Sequence, residues 1–120
     1  MSAPGQDSGQ HHLRLQDALA QLPTDSGERF ALLLTHGTLE VEIYAPRGTD
    51  EQTPHTRDEV YVVMCGSGRF VNGSETHDFG PGDLLFVPAG VEHRFVDFSE
   101  DLAVWVVFYG PEGGEENHLP

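Results

Sequence analysis

The chain has 120 residues, the length of one domain with room for a single modest hydrophobic core. It carries 20 Asp and Glu against 6 Lys and Arg, a formal net charge of -14 at pH 7. Such a surface repels phosphate backbones and anionic lipids, so we expect no nucleic-acid or membrane partner and an attraction for divalent cations. No apolar stretch approaches the roughly 18 residues of a membrane span and no signal-peptide core is evident, so we expect a cytoplasmic location.

The first 28 residues predict a lead-in followed by one short helix. Residues 1–12 are rich in Gly, Ser, Gln and Pro, a composition typical of disordered termini. From Leu13 to Leu22 apolar residues recur at helical spacing, and Pro23 ends the pattern. We therefore predict a short helix and linker over residues 13–28, with the helix lying against the outside of the domain.

From residue 29 the pattern changes to short strands. An apolar run begins at Phe30, and after the turn at His36-Gly37 the residues from 38 to 44 alternate strictly. Leucine, valine and isoleucine fall on one face, while Glu40 and Glu42 fall on the other. This alternation predicts a hairpin whose second strand has one solvent-exposed face.

Turn signals separate the remaining strands. Asn72-Gly73 is a two-residue hairpin signal, and turns containing Gly and Pro follow it along the chain. Short strands at this spacing, ending near Tyr109, are typical of an all-β barrel or sandwich. We predict one all-β barrel domain over residues 29–110 and a flexible acidic tail over residues 111–120.

Two segments contain residue types that bind metals, one with His55 and Glu59 and the other ending at His93. In a straight strand His55 and Glu59 would lie about 13 Å apart, too far to share an ion with bonds of about 2.1 Å. Pro54 and the β-branched residues after Glu59 disfavour a helix, so a loop must carry His55 back over the start of the strand. Asp58, on the opposite face from Glu59, is predicted to be a surface charge.

Two imidazoles and one carboxylate suit a divalent Fe, Mn, Zn or Ni ion and would leave coordination positions open. On spacing alone, however, a histidine near a strand is more often an ordinary surface or core residue. Tyr61 shares the inward face with Glu59 and is the candidate catalytic acid or base. Tyr61 and Phe95 either line a pocket or belong to the plain barrel core.

The region from about Arg29 to Tyr109 resembles the cupin superfamily, which has two short motifs. The second motif, G-x5-P-x-G-x2-H-x3-N, matches at its glycines, its proline and its histidine, with Asp97 where Asn is usual. These four matching residues are Gly82, Pro88, Gly90 and His93.

The first cupin motif, G-x5-H-x-H-x3-4-E-x6-G, matches at His55, Glu59 and Gly66, and Thr53 occupies the place of the first His. The resemblance implies a jelly-roll barrel of the double-stranded β-helix type. It also implies that His55, Glu59 and His93 bind one divalent metal ion, with three protein ligands instead of four, and that Thr53 lies in the pocket.

Cupins perform many unrelated functions, so several functions stay open. The ligand set matches that of non-haem Fe(II) oxygenases and favours a metal-dependent dioxygenase or isomerase acting on a small polar molecule. The missing first His favours instead a non-catalytic barrel that binds a metal or small ligand for sensing or storage. A third possibility is a barrel that has lost its metal.

The apolar runs 30–34 and 102–109 exceed what one small barrel needs to fill. Cupin barrels commonly pair through their outer strands. We therefore expect a homodimer.

Overall fold

The computed structural model describes residues 11–50 and 52–116. The lead-in predicted for residues 1–12 and the last part of the predicted tail therefore lie mostly outside the described residues. The described elements are α1 (Leu15–Leu19), β1 (Phe30–His36), β2 (Leu39–Tyr44), β3 (Asp58–Cys65), β4 (Gly68–Asn72), β5 (Glu75–Phe79), β6 (Leu84–Val87), β7 (His93–Val96) and β8 (Ala103–Tyr109). Within this part of the chain, no helix has both the length and the apolar character needed to cross a membrane.

The strands form two antiparallel sheets that face each other. The larger sheet has the order β1-β2-β8-β3-β6 and the smaller has the order β5-β4-β7. Their facing side chains form the main core, which includes Tyr61, Val63, Phe70, Phe79, Val87, Phe95, Leu102, Val104 and Val106. The predicted all-β jelly-roll domain with a short helix is confirmed. Its barrel consists of two packed sheets, and Asn72 Nδ2 links them by donating a hydrogen bond to the Phe86 carbonyl (2.8 Å).

The helix α1 covers the outer face of the larger sheet, as predicted. Ala18 is buried there against Leu33 of β1 and Ile43 of β2, and Trp105 of β8 packs at the margin of the same cluster. Alternation therefore sends the apolar face of β2 outward to the helix. The opposite face of β2, with its two glutamates, faces the inside of the barrel.

The register across the larger sheet brings the inward residues of three strands into rows. Glu40 of β2 pairs with Phe108 of β8, which also pairs with Glu59 of β3. One row further along, Glu42 pairs with Val106, which in turn pairs with Tyr61. The two glutamates of β2 and the carboxylate of Glu59 thus share one interior face.

Two turns use backbone conformations with positive φ. Asn72 pairs with Glu75, so the hairpin loop consists of Gly73 and Ser74, one residue later than predicted. Gly73 has a φ of 60°, which glycine adopts without strain. After β7, Asp97 has a φ of 49°, and its largely exposed side chain lies 3.9 Å from Arg69.

Candidate metal centre

The loop before β3 brings His55 back over the start of that strand. The His55 carbonyl accepts a hydrogen bond of 2.7 Å from the Gly90 amide, in the turn that precedes His93. Gly90 has a φ of 80°, a left-handed conformation that favours glycine. The two motif segments are therefore joined directly through their backbones.

Asp58 connects the same segments, and its predicted exposure is wrong. The side chain is only 6% exposed. Its carboxylate accepts hydrogen bonds from the amides of Ala89 (3.0 Å) and Glu115 (2.9 Å). Asp58 does point away from Glu59, but the turn and the C-terminal segment cover that face.

These connections bring His55, Glu59 and His93 together. One nitrogen or oxygen atom from each of the three lies within 4.8 Å of the other two. His93 Nε2 is 3.1 Å from Glu59 Oε1, and His55 Nε2 is 4.0 Å from Glu59 Oε2. Ligands bound to one ion at about 2.1 Å lie roughly 3 to 4.2 Å apart, so small side-chain rotations would suffice for all three to share it.

The polar atoms of this cluster fit a bound cation. Glu59 is 1% exposed, and within the described part of the chain neither of its carboxylate oxygens has a hydrogen-bond partner. His93 Nε2 is also buried without a partner. His93 Nδ1 lies 2.9 Å from the Val91 carbonyl, which can only accept, so Nδ1 carries a proton and Nε2, once deprotonated, is the atom that would bind an ion. Buried polar atoms without partners are costly, and a metal ion would satisfy these three.

The two histidines differ in their electrostatic surroundings. Burial lowers the pKa of His55, and this outweighs the opposite effect of Glu59. Burial also acts to lower the pKa of His93, but the Glu59 side chain and the Val91 carbonyl raise it above the usual value. His55 is thus the more readily neutral of the two, which is the form that binds metal.

Tyr61 and Phe95 lie in the main core beneath the cluster. The Tyr61 ring centroid is 5.9 Å from that of His93 and 5.0 Å from that of Phe95. The Tyr61 hydroxyl donates to Gln52 Oε1 (2.6 Å), and burial, followed by Glu59, raises the pKa of Tyr61 well above its usual value. A hydroxyl that keeps its proton can donate a hydrogen bond but is a poor base. The catalytic role of Tyr61 therefore stays a prediction.

A cavity of about 720 Å³ opens on the cluster from the interior face of the larger sheet. Thr53, His55 and Glu59 line it, whereas Tyr61 and Phe95 are not among its lining residues. Its other charged lining residues are Arg29, Arg47, Arg57, Glu40, Glu42 and Glu112. The cavity has the size and polarity that suit a small polar molecule.

Glu42 is a candidate functional residue that the sequence analysis missed. Burial, then Glu40 and then Glu59, raises the pKa of Glu42 to about 7. Glu40, on the same face of β2, is instead paired with Arg57, whose Nη1 lies 2.7 Å from the Glu40 carboxylate. The alternation of glutamates on β2 was the available signal, but it did not reveal that this face points inward.

The two facing sheets and the buried histidine–carboxylate cluster define a jelly-roll barrel with a candidate metal centre. A family model described as the cupin domain matches residues 40–109. An uncharacterised protein of Streptomyces coelicolor is 40% identical over 101 residues, which span 82% of this chain and 95% of that protein. The chain belongs to the cupin family.

Solved structures agree with this fold. A Cupin 2 conserved barrel domain protein of Salinispora arenicola aligns with a TM-score of 0.64 and 21% identity, covering 84% of this chain and 90% of that one. A candidate mannose-6-phosphate isomerase of Ralstonia eutropha aligns with a TM-score of 0.53 and 26% identity, covering 68% of this chain and 83% of that one.

Proposed function

We propose that this cupin is a metal-dependent enzyme of isomerase type that acts on a small polar molecule. His55, Glu59 and His93 would hold one divalent Fe, Mn, Zn or Ni ion. The observation that carries this proposal is the group of buried, unpartnered ligand atoms next to a cavity of about 720 Å³. When bound, the ion would supply Lewis-acid polarisation of a substrate carbonyl.

Glu42 supports proton transfer as the type of chemistry. Without an ion the pKa of Glu42 is about 7, with burial as the main cause, and the charge of an ion held by Glu59 would lower it toward the carboxylate form, which can accept a proton and return it. The hydroxyl of Tyr61 donates to Gln52 and helps to hold the loop that carries Thr53 and His55. Isomerisation needs such a reversible proton carrier, which favours it over dioxygen chemistry at the same ligand set.

A non-catalytic barrel that binds a metal or a small ligand is the second candidate function. Thr53 lines the cavity where the full cupin motif would supply another imidazole, so the metal would be held by three side chains. Weaker retention of the metal suits reversible sensing or storage better than it suits a permanent catalytic centre.

The experiment that separates these functions begins with elemental analysis of protein purified without chelator. The metal-loaded protein is then incubated in D2O with small hydroxy-aldehydes and hydroxy-ketones, and NMR follows deuterium entry next to the carbonyl. We expect exchange that is lost in both Glu59→Ala and Glu42→Gln. Dioxygen uptake without exchange would identify an oxygenase, and bound metal without either reaction would support the binding barrel.

The raised pKa of Glu42 predicts a pH-dependent stability. The unfolded carboxyl ionises near 4.5, whereas the folded one keeps its proton to about 7, so the folded state binds more protons between these values. The free energy of unfolding therefore falls as pH rises through this window. In chelator, Glu42→Gln should be more stable than the wild type at pH 8, by on the order of 2 kcal/mol, and equal to it at pH 4.

Urea unfolding at both pH values measures this difference. Glu100→Gln, at an exposed position outside the cavity, is the control and should bring no gain at pH 8. A Glu42→Gln difference that does not change with pH would contradict the prediction. The charged or titratable groups that line the same cavity as Glu42 are Glu40, Tyr44, Glu59, Arg29, Arg47, His55, Arg57 and Glu112, and Tyr61 lies in the same row of the sheet beyond Val106.

We also propose a homodimer formed through β6, one of the two outer strands of the larger sheet. Leu84 is 64% and Phe86 is 45% exposed, and they pair with Val62 and Val60, whose side chains lie on the same outward face. Among the described strands, β6 pairs only with β3, so its second edge is open to another copy. The apolar runs 30–34 and 102–109, which led us to expect a dimer, have outward residues that are instead partly covered by α1.

Substitution of these residues tests the dimer. Leu84→Glu together with Phe86→Glu should convert a dimer to a monomer in light scattering, because it places charge in an apolar interface. Arg94→Glu, at an exposed position on β7, is the control and should leave the dimer intact. A wild-type monomer, or a dimer that survives the double substitution, would refute this interface.

A further inference from the structure

Positive charge is concentrated at the cavity. The chain has no lysine and its 6 basic residues are all arginines, in a protein of net charge -14. Three of them, Arg29, Arg47 and Arg57, line the same cavity as the metal cluster. Four glutamates line the same cavity, so an anion could bind only at arginines that these carboxylates leave unpaired.

Arg29 and Arg47 meet at a single carbonyl oxygen. Arg29 Nε donates to the Ala45 oxygen at 2.8 Å, and Arg47 Nη1 donates to the same oxygen at 3.2 Å. Arg47 Nη1 also approaches the carbonyls of Pro46 (2.9 Å) and Leu102 (3.3 Å). Neutral carbonyl acceptors thus hold two like charges side by side. The pKa of Arg29 is lowered, mainly by burial and secondly by the charge of the adjacent Arg47.

These two cations differ from the third. Arg57 is paired with Glu40 at 2.7 Å. Over residues 11–50 and 52–116, no carboxylate lies within ion-pair distance of Arg29 or Arg47. A guanidinium has five N–H donors, and the hydrogen bonds to carbonyls involve only Nε of Arg29 and Nη1 of Arg47. Donors of both side chains therefore stay available to a ligand.

We propose that Arg29 and Arg47 form an anion subsite, and that the ligand of this cavity is a small organic acid. Its carboxylate would bind the two guanidinium groups while an oxygen at its other end reaches the metal centre. Only the second of these contacts, the one with the metal centre, depends on the proposed function. A planar guanidinium group binds a carboxylate with two parallel hydrogen bonds, which gives both affinity and orientation, and a second guanidinium beside it adds further donors and charge.

The same cavity favours a carboxylate over a phosphate. Glu40, Glu42 and Glu112 also line it, and their charges oppose a dianion more strongly than a monoanion. A carboxylate at Arg29 and Arg47 would relieve the repulsion between the two arginines while adding only one negative charge. The expected ligand class is therefore a carboxylic acid with a second oxygen-bearing end.

A matched set of ligands tests the subsite. 3-Hydroxypropionate, its amide and 2-hydroxyethylphosphonate have similar length, share a hydroxyl at one end and carry a carboxylate, a neutral amide or a phosphonate at the other. 4-Hydroxybutyrate and its amide extend the set by one methylene. Calorimetry with the metal-loaded protein should show at least one hydroxy acid binding about tenfold more tightly than its amide, and no less tightly than the phosphonate.

Substitutions then assign this preference to the two arginines. Arg29→Gln and Arg47→Gln should each remove most of the tenfold acid preference, and Arg47→Lys should retain part of it because it keeps the charge without the planar donor pair. Arg94→Gln, outside the cavity, is the control and should behave as the wild type. Circular dichroism melting curves show that each variant is folded, and Arg47→Lys provides the test if a glutamine variant is not.

The outcomes separate the subsite from the metal proposal. Absence of any acid preference, a preference that survives both substitutions, or stronger binding of the phosphonate would overturn the subsite. Metal content is measured in the same samples. If the wild type holds no metal yet prefers acids in an Arg29- and Arg47-dependent way, the metal proposal fails and the subsite stands.

Discussion

Glu59→Ala is expected to lower the affinity of the protein for divalent metal by about a hundredfold or more. Glu59 is the central member of the cluster, within 3.1 Å of His93 Nε2 and 4.0 Å of His55 Nε2. Without it, the two imidazoles of the cluster would be left to hold the ion by themselves. Competition with a chromogenic chelator measures the affinity for Mn, Fe, Zn and Ni.

Stability in the presence of metal provides an independent measure. A metal that binds only the folded state should stabilise the wild type by about 2.7 kcal/mol at one hundred times its dissociation constant. The same metal concentration should stabilise Glu59→Ala by at most about 0.4 kcal/mol, since it no more than equals a dissociation constant raised a hundredfold. Glu92→Gln, an exposed carboxylate next to His93, is the control and should retain the full shift. Equal metal shifts in the wild type and Glu59→Ala would exclude the cluster as the binding site.

Asp50→Ala is expected to destabilise the fold by about 3 kcal/mol. Asp50 is buried in the loop between β2 and β3, and its Oδ2 accepts hydrogen bonds from the Phe95 amide and from Gln52 Nε2, both at 2.8 Å. Its Oδ1 accepts from the Tyr44 hydroxyl. Alanine would leave three donors without their acceptor, one of them a buried backbone amide.

This carboxylate also ties the loop that carries Thr53 and His55 to β7, two residues beyond His93. Thermal unfolding should therefore show a midpoint lowered by roughly 10 to 20 °C. Metal affinity should fall in the same variant, although Asp50 is outside the ligand cluster. Asp78→Ala, at an exposed position on β5, should change neither quantity. Wild-type stability of Asp50→Ala would show that these hydrogen bonds contribute little.

Much of the barrel could be predicted because strand alternation and turn residues are local signals. The helix at Leu15–Leu19 and the strand boundaries follow those signals to within a few residues. The loop that returns His55 toward Glu59 followed from distance alone, since a straight strand holds two such residues too far apart.

What could not be predicted was which face of each strand is covered. Alternation separated Glu40 and Glu42 from the apolar residues of β2, but helix α1 determines that the apolar face points outward. Asp58 is buried for a similar reason, because its partners Ala89 and Glu115 are distant in sequence. Asp50 likewise depends on a contact 45 residues away, at Phe95.

The left-handed backbone at Asp97 explains why this Asp can replace the Asn that is usual at the last position of the second cupin motif. Asn and Asp are the non-glycine residues that tolerate this conformation best. With its side chain largely in solvent and its φ at 49°, Asp97 meets a requirement of chain direction and contributes no group to the cavity. An Asp in place of the usual Asn therefore adopts the same backbone conformation at this corner, and the exchange does not alter the groups that line the cavity.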